Sequence, residues 1–495
     1  MKVVFVTRNA AMYSYHESTV HALRDRGHKV TVLFSYENGV PGWNHTILRE
    51  GTESQLVVGG EGTDQREHLD TQGIELGKTV SREDRWTTVL AAVRETLTYA
   101  SYIARGDDSR FRSVQQQRLP TRLRGPMASS KLLPKVLSSK LVMWCLQWVG
   151  GLIPVYRPIL DHLRELDPDI TVVSPINWAS RPGDFAGEVE YARASQSLGI
   201  PAVVPVLSWD NLTARGLYYV TPDMTLAWND CHVEEATTIH GIPLEKIVVT
   251  GSPLFDKWFN AEDLGESRGD FCKRVGLHPE RPIVVYLGSS GNIAPDETWL
   301  IHKLISAVAN HKNPDINTLQ FIIRPHPANA DHYGNVNWGN ATVLWPRKAA
   351  LPDSKDAVRA FYNTLLHSIG TVGINTTGMI DAVVADKPSA TIFVDRYKKS
   401  QVEAPHFQHL FGSGALERVH NGEEFTEFVE RILQGRDNAQ EQRRKFVTTF
   451  VRSRGLCRSA GSVAAMAIEM LSAGLTITEI ERKLGPRLDS ADLIG

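Results

Sequence analysis

The residues best suited to bind an anionic ligand lie in the C-terminal half of the chain. Asn375, Thr376 and Thr377 follow the apolar run 369–374, at the point where a helix is predicted to begin. Two hydroxyls and several unpaired backbone N–H groups at a helix N-terminus form a receptor for phosphate oxygens. Asp381 lies one turn further along the same helix face, where a carboxylate can accept hydrogen bonds from a ribose or sugar diol. The alternative is a plain N-cap on a core helix.

Two further segments carry donors or small residues at the ends of predicted strands. Arg324 directly precedes Pro325, and His326 stands between Pro325 and Pro327, after the strand 319–323. The prolines stiffen this segment and hold a guanidinium and an imidazole in a form suited to pyrophosphate. An exposed turn is the alternative there. The strand 283–287 ends in small residues that allow backbone N–H groups to approach a phosphate or ribose closely, namely Gly288, Ser289 and Ser290.

Together these segments resemble a known set of enzymes. The run Thr376-Thr377-x-x-x-Asp381, then Lys387-Pro388, preceded by Arg324-Pro325-His326-Pro327, resembles the C-terminal half of CDP-glycerol glycerophosphotransferases. It is also similar to the wider GT-B set of nucleotide-sugar enzymes, including the non-hydrolysing UDP-N-acetylglucosamine 2-epimerases. The resemblance implies an α/β protein with two doubly wound, Rossmann-like domains facing across a cleft. The second domain would bind a UDP- or CDP-type donor, used as a substrate, and no cofactor is expected.

The N-terminal half opens with strand 2–7, a loop over 8–15 and a helix over 16–26, the start of a doubly wound domain. The stretch from His16 to Thr31 resembles the start of GT-B enzymes of the UDP-glycosyltransferase type. In those inverting enzymes a histidine after the first strand is the catalytic base, and His16 occupies the matching position. Tyr15 stands where that family has glycine. An imidazole can take a proton from an acceptor hydroxyl, whereas the alternative is a histidine that caps the first helical turn.

From residue 155 to 250, strands and helices alternate, which predicts a parallel sheet covered on both faces. Asp210 is the second candidate for a general base, or for a carboxylate that orients His16, although Asp-Asn is also a common turn pair. Because the carboxyl ends of parallel strands meet at one edge of a sheet, acceptor-side residues are expected to line one cleft wall. These residues are Arg8, Asn9, Asn177, Trp209 and Asn211.

A chain of 495 residues is too long for one hydrophobic core. The predicted parts are an N-terminal domain 1–254 with a helical, basic insertion at about 83–150, a linker 255–280, and a donor domain 281–440. A C-terminal helix 441–472 follows, which the resemblance implies crosses back onto the first domain, and a tail 473–495 comes last. A net charge of -2 provides no case for nucleic acid as a partner.

Four widely spaced cysteines argue against a zinc site and for a reducing compartment. No Asp-x-Asp motif follows a strand, so metal independence is predicted. The N-terminus enters a strand directly, which predicts a cytoplasmic protein.

The insertion contains a basic stretch followed by a Trp-bearing apolar stretch, together residues 105–149. The apolar part is too short to span a bilayer. One hypothesis is peripheral contact with anionic lipid at the inner membrane face, which would suit a lipid-linked acceptor. The favoured alternative is a helical hairpin that packs on the domain, because Leu and Trp stripes are more often core.

The predicted function is transfer of a sugar from a nucleotide diphosphate donor to a hydroxyl acceptor, in surface polysaccharide or glycoconjugate synthesis. One alternative is a 2-epimerase, which the single Asp381 disfavours, because epimerases carry paired acidic residues there. A glycerophosphotransferase of the CDP-glycerol type is another. A non-enzymatic scaffold is the third, and it is disfavoured by the His, Arg and hydroxyl set in both halves.

Overall fold

The computed structural model describes residues 1–35, 72–178, 187–346, 351–352 and 354–488. These residues form two compact units. The first contains the described residues up to Asp256 together with those from Thr448 onward, and the second contains those from Lys257 to Val447.

The first unit is built on a seven-stranded parallel sheet with the order β3-β2-β1-β4-β5-β6-β7. Most of its strands are continuous apolar runs, as expected for a sheet covered on both faces. The strand order reverses between β1 and β4, which creates a topological switch point. The strands are β1 Lys2–Thr7, β2 Lys29–Phe34, β3 Ile74–Lys78, β4 Ile170–Ser174, β5 Ala202–Pro205, β6 Met224–Ala227 and β7 Ile247–Val249.

The second unit repeats this plan with six parallel strands in the order β10-β9-β8-β11-β12-β13. Its switch point lies between β8 and β11. The strands are β8 Ile283–Leu287, β9 Gln320–Arg324, β10 Thr342–Leu344, β11 Gly370–Gly373, β12 Ser389–Ile392 and β13 Glu417–Val419.

Helices connect the strands in both units. In the first unit they are α1 Ala10–Tyr13, α2 Glu17–Asp25, α3 Trp86–Ala104, α4 Arg110–Arg118, α5 Thr121–Ser129, α6 Leu133–Leu137, α7 Lys140–Leu152, α8 Arg157–Leu166, α9 Gly187–Ser197, α10 Asn211–Ala214 and α11 Asp230–Thr238. In the second unit they are α12 Arg268–Val275, α13 Thr298–Ala309, α14 Pro314–Asn317, α15 Asp331–Gly334, α16 Lys355–Leu366, α17 Thr377–Val384, α18 Pro405–Gly412, α19 Gly422–Leu433 and α20 Gln440–Phe446. The chain ends with α21 Ala460–Ser472 and α22 Ile477–Leu484, which belong to the first unit.

The C-terminal segment differs from the predicted single helix 441–472. It consists of α20 and α21, separated by a π-helical turn and a loop. Helix α21 packs so closely on α2 that a Cβ atom at Gly461 would come within 2.5 Å of the Ser18 carbonyl carbon. The described part of the predicted tail also packs, since Ile480 and Leu484 of α22 are buried in the core of the first unit.

The predicted linker 255–280 is folded. Asp256 belongs to the first unit, where its carboxylate accepts a hydrogen bond from the Ser18 hydroxyl at 2.6 Å and pairs with Arg452 at 2.8 Å. Trp258 belongs to the second unit, and α12 follows it. The chain therefore passes from the first unit to the second within one or two residues. The charged, Gly and Pro residues of the segment 255–280 belong to turns between short helices.

The insertion is helical, as predicted, but its apolar segment is not core. No residue of α7 is buried, and Trp144 and Trp148 are 59% and 56% exposed. The expectation that its Leu and Trp stripe is core was therefore wrong, although the helix packs on the domain as predicted. One face of α7 already packs on α3, which leaves its other apolar face at the surface.

Candidate functional site

In the second unit, the segments that follow β8 and β11 meet at the switch point of the sheet. The backbone N–H of Asn375 donates to the Ser289 hydroxyl at 3.3 Å. The side-chain amide of Asn375 is buried and donates to the Ser400 carbonyl at 2.8 Å. Asn375 therefore holds the loop after β11 in place. Thr376 and Thr377, the neighbouring hydroxyl-bearing residues, form the accessible part of this loop.

The segment after β9 lies against the same place. The Gly288 N–H donates to the Arg324 carbonyl at 2.9 Å, and a Cβ at Gly288 would lie 3.2 Å from the His326 backbone nitrogen. A side chain at this position would therefore crowd the neighbouring backbone, which glycine avoids. The three segments predicted from the sequence are therefore adjacent, because β9, β8 and β11 are neighbours in the sheet.

Thr376 lies at the N-cap position of α17, but its side chain makes no capping hydrogen bond. By contrast, Ser354 and Asn421 cap α16 and α19 through their side chains. Thr376 and Thr377 are partly exposed. The plain-cap alternative is therefore wrong for the Thr376 side chain, and the helix N-terminus retains N–H groups suited to an anion.

Arg324 and Asp381 lie deeper than the threonines. The Arg324 guanidinium lies over the Phe361 ring, 4.1 Å from its centroid. Asp381 is only 5% exposed and accepts a hydrogen bond from the Trp258 indole at 2.6 Å. Burial raises the pKa of Asp381, and the positive charges of Lys257 and Arg324 act in the opposite direction. One carboxylate oxygen of Asp381 is thus already bonded within the unit, and its contact with a sugar diol stays a prediction.

Glu297 is a central residue of this site that the sequence analysis missed. It is fully buried at the N-cap position of α13 and accepts hydrogen bonds from the Ser289 N–H at 2.8 Å and the Ser289 hydroxyl at 3.0 Å. The Tyr333 and Tyr286 hydroxyls also donate to it, at 2.7 and 3.2 Å. Burial raises the pKa of Glu297 to about 7. Its position eight residues after Ser289 carries no sequence signal, because the contact depends on how the intervening turn folds.

In the first unit, the residues after β4 and β5 form an amide pair. The Asn177 side chain donates to the Asn211 carbonyl at 2.7 Å, and the Asn211 side chain donates to Asn177 Oδ1 at 3.0 Å. Both residues are buried, as is Trp209. These three residues, which were predicted for the acceptor side, therefore support the edge of the sheet from buried positions.

A group of charged side chains lies beside this pair. The Trp178 ring has the Arg8 guanidinium 5.5 Å and the Arg215 guanidinium 4.5 Å from its centroid. Arg215 also pairs with the Asp210 carboxylate at 3.5 Å, and the Asp210 side chain is 20% exposed. Arg8 and Asp210 were predicted for this edge, and Trp178 is an addition from the structure. Asn9 instead caps α1, accepting a hydrogen bond from the Met12 N–H at 3.0 Å.

His16 occupies a different environment. It stands at the N-cap position of α2 without a side-chain capping bond and is only 3% exposed. It lines a cavity of about 10 Å³, room for about one water molecule, together with Phe5, Val172, Trp228 and Ile468. Its Nε2 atom has no hydrogen-bond partner among the described residues, and burial lowers its pKa to about 4. The walls of this cavity are mostly apolar, and Asp210 is not among them.

Two features are absent from the described ranges. No helix there is long and apolar enough to cross a bilayer. No cluster of three His, Cys, Asp or Glu side chains there is arranged to hold a metal ion.

No family model matches the chain, and no curated protein matches it in sequence. Solved structures do match. The Staphylococcus aureus protein MnaA, solved with UDP, superimposes with a TM-score of 0.53 over 96% of this chain and 97% of its own, at 10% identity. A putative UDP-N-acetylglucosamine 2-epimerase from Listeria monocytogenes gives the same TM-score and identity over 96% and 98%. The wall teichoic acid polymerase TagF matches 53% of this chain and 59% of its own, with a TM-score of 0.34 and 12% identity.

The two matches with a TM-score of 0.53, together with the two parallel sheets and their strand orders, define the class: the chain has the GT-B fold of those two proteins. The predicted fold class, an α/β protein with two doubly wound domains, is confirmed. An identity of 10% establishes this shared fold, and the reaction has to be argued from the residues of the site.

Proposed function

We propose that the protein is a metal-independent glycosyltransferase that moves a sugar from a UDP- or CDP-type donor to a hydroxyl acceptor. The observation that carries the proposal is the meeting of three strand-end segments in the second unit. They bring together Gly288, the His326 backbone and the N-terminus of α17, whose cap side chain makes no capping bond. The similar fold of MnaA, which was solved with UDP, supports a nucleotide as the ligand.

The donor's diphosphate is assigned to the rim of this arrangement. Thr376, Thr377 and the first N–H groups of α17 offer donors to phosphate oxygens. Arg324 and His326 add positively charged or neutral N–H donors from the neighbouring strand end. Negative charge builds on the diphosphate as the sugar bond breaks, so donors fixed in place before the reaction lower the barrier. This arrangement can stabilise the leaving group through protein groups alone.

The state of the carboxylates favours transfer over epimerisation. Epimerisation at C2 through elimination and re-addition needs acid and base groups that can exchange protons with the sugar. Glu297 accepts hydrogen bonds from Ser289, Tyr286 and Tyr333, and Asp381 accepts one from Trp258. Both carboxylates are thus engaged in holding the second unit together.

The acceptor is assigned to the first unit. Of the two candidate bases, Asp210 is the more accessible, since its side chain is 20% exposed and His16 is 3% exposed. We therefore assign proton removal from the acceptor hydroxyl to Asp210 first. His16 is neutral at physiological pH, because its pKa is about 4, and it is the second candidate.

Two other reactions remain candidates for the function of this protein, each because of one observation. The fold match to a putative 2-epimerase over nearly the whole chain favours epimerisation. The segment Arg324-Pro325-His326-Pro327 favours glycerophosphoryl transfer from CDP-glycerol, because it is part of the resemblance to that family.

Product analysis by NMR separates these three reactions. A thermal-shift screen against UDP, CDP, GDP and their sugars first identifies the nucleotide. The stabilising donor is then incubated with the protein alone and with a mixture of hydroxyl acceptors. We expect nucleoside diphosphate release that depends on an acceptor. Inversion at C2 in the absence of any acceptor would replace the transferase proposal with the epimerase, and CMP release from CDP-glycerol would replace it with the glycerophosphotransferase.

A further inference from the structure

The insertion presents an apolar surface that the fold does not use. Helix α7 carries Leu141, Trp144, Trp148, Val149 and Leu152 on one exposed face, at spacings of three, four, one and three residues. Leu132, Leu133 and Val136, in and next to α6, are exposed beside it in the chain. These eight residues, which we call the α6–α7 face, are more than half of the 14 large apolar side chains that are exposed among the described residues.

The opposite face of α7 explains why the helix is held in place. Met143 and Leu146 pack against Val93 and Leu97 of α3, and a Cβ at Gly150 would sit in ordinary contact with Val93. An amphipathic surface helix normally turns its only apolar stripe to the core. Helix α7 has one stripe on the core and a second stripe pointing outward, and an outward apolar patch of this kind marks an interaction surface.

The charge around the α6–α7 face indicates what covers it. Residues 109–160 contain nine Arg or Lys residues and no Asp or Glu. Lys131, Lys135 and Lys140 are exposed, and each directly precedes an exposed apolar residue in the chain. The whole chain has a net charge of -2, so this concentration of positive charge is local. Exposed Trp and Leu side chains flanked by Lys are the combination that suits the interface of an anionic bilayer.

We propose that the α6–α7 face docks the protein on an anionic membrane surface, with the side chains of Trp144 and Trp148 inserted at the level of the lipid headgroups. Helix α7 has 13 residues and lies along the surface of its unit, which fits a helix in the plane of the interface. This surface is separate from the strand-end residues described above, and docking does not depend on the proposed transfer reaction.

Helix α3 links the docking face to the acceptor side of the first unit. Its Thr98 hydroxyl is 2.6 Å from the Tyr219 hydroxyl, and the Tyr102 hydroxyl donates to the Thr213 carbonyl at 2.8 Å. Thr213 lies in α10, and Arg215, the residue directly after this helix, pairs with Asp210. If the proposed function is correct, docking therefore holds the acceptor-side residues in a set orientation to the membrane, which suits a lipid-linked acceptor.

Vesicle sedimentation of the full chain, without nucleotide, tests docking. The probes are vesicles of phosphatidylcholine alone and of phosphatidylcholine with phosphatidylglycerol in a ratio of roughly two to one. We expect the protein to sediment with the anionic vesicles and to be released by salt. Trp144→Ser with Trp148→Ser should weaken this partitioning by on the order of tenfold or more. Lys131→Gln, Lys135→Gln and Lys140→Gln together should abolish the preference for anionic over neutral vesicles.

A matched control and a second readout complete the test. Leu244→Ser alters a side chain that is 63% exposed elsewhere on the same unit, and it should leave partitioning unchanged. Cys145 lies on α7 and is exposed, so an environment-sensitive dye on it, in a Cys457→Ser background, should shift to the blue with anionic vesicles. Partitioning that survives both tryptophan substitutions overturns the proposal. So does self-association that requires Trp144 without any vesicle binding, since the face would then join two copies of this chain.

Discussion

Glu297 accepts two hydrogen bonds from Ser289, one from its backbone N–H at 2.8 Å and one from its hydroxyl at 3.0 Å. The same Ser289 hydroxyl accepts the Asn375 N–H at 3.3 Å. Hydrogen bonds thus join a buried carboxylate to the loop after β8 and to the loop after β11. This network holds the backbone of the proposed donor site in place.

Glu297 should make the stability of the protein depend on pH. Its folded-state pKa is about 7, against an ordinary value of 4.5, so the folded state binds the proton more tightly. The stabilising effect is complete below pH 4.5 and is lost as the pH rises to about 7, by up to about 1.4 kcal/mol per pH unit. Denaturant titrations of the wild type and Glu297→Gln across this range should show that the variant lacks this decline. Glu280→Gln, an exposed control, should retain it, and an unchanged slope in Glu297→Gln would contradict the assignment.

His326 should be required for nucleotide binding. His326→Ala removes the imidazole of a residue whose backbone lies next to Gly288, and we expect affinity for the nucleotide diphosphate to fall by on the order of tenfold to a hundredfold. Isothermal titration calorimetry measures the change. His278→Ala is the matched control, because His278 precedes β8 and should not affect binding. Equal affinity in the His326 variant and the wild type would remove this residue from the site.

Trp258 should stabilise the second unit through Asp381. Trp258→Phe retains most of the apolar volume but removes the indole N–H that Asp381 accepts at 2.6 Å. A buried carboxylate that loses a donor costs about 1–3 kcal/mol, so the free energy of unfolding should fall by this amount. Trp148→Phe changes an exposed indole and should have no effect. If Trp258→Phe is as stable as the wild type, the hydrogen bond has no net energetic role.

His16 should destabilise the folded state at acid pH. Burial lowers its pKa from 6.5 to about 4, so the folded state binds the proton less tightly than the unfolded chain. The free energy of unfolding should therefore fall as the pH is lowered from 6.5 towards 4. His16→Phe, whose ring does not titrate, should lose less stability over this range than the wild type. His21→Phe on the same helix serves as the control. A His16 variant with the wild-type acid sensitivity would show that other groups cause it.

Asp210 should act on the acceptor and not on the donor. Asp210→Asn keeps the shape of the side chain, and we expect kcat to fall by on the order of a hundredfold, as for loss of a general base. The dissociation constant for the donor should not change. Asp161→Asn on α8 is the control, since Asp161 pairs with Arg157 and Arg164 on its own helix. Full activity in Asp210→Asn would transfer the role of base to His16.

Sequence reasoning was strongest where the signal is local or follows from strand order. Apolar runs predicted the strands of both sheets except β3, whose residues are mostly exposed. The rule that parallel strands share one carboxyl edge then placed Gly288, Arg324 and Asn375 together. Prediction from the sequence failed where the environment of a residue depends on distant parts of the chain. The apolar run around Trp144 looks like core by composition, and only the position of α3 decides which of its faces is covered.

By itself, the sequence determined a two-domain α/β protein with small, hydroxyl-bearing and basic residues at the strand ends of its second half. It could do so because helix and strand periodicity are local properties. The tertiary structure alone decided that Glu297 holds Ser289, that Trp258 occupies one oxygen of Asp381, and that the outer stripe of α7 is exposed. Each of these depends on which surfaces meet after folding, and burial and hydrogen bonding between separated residues arise only from that packing.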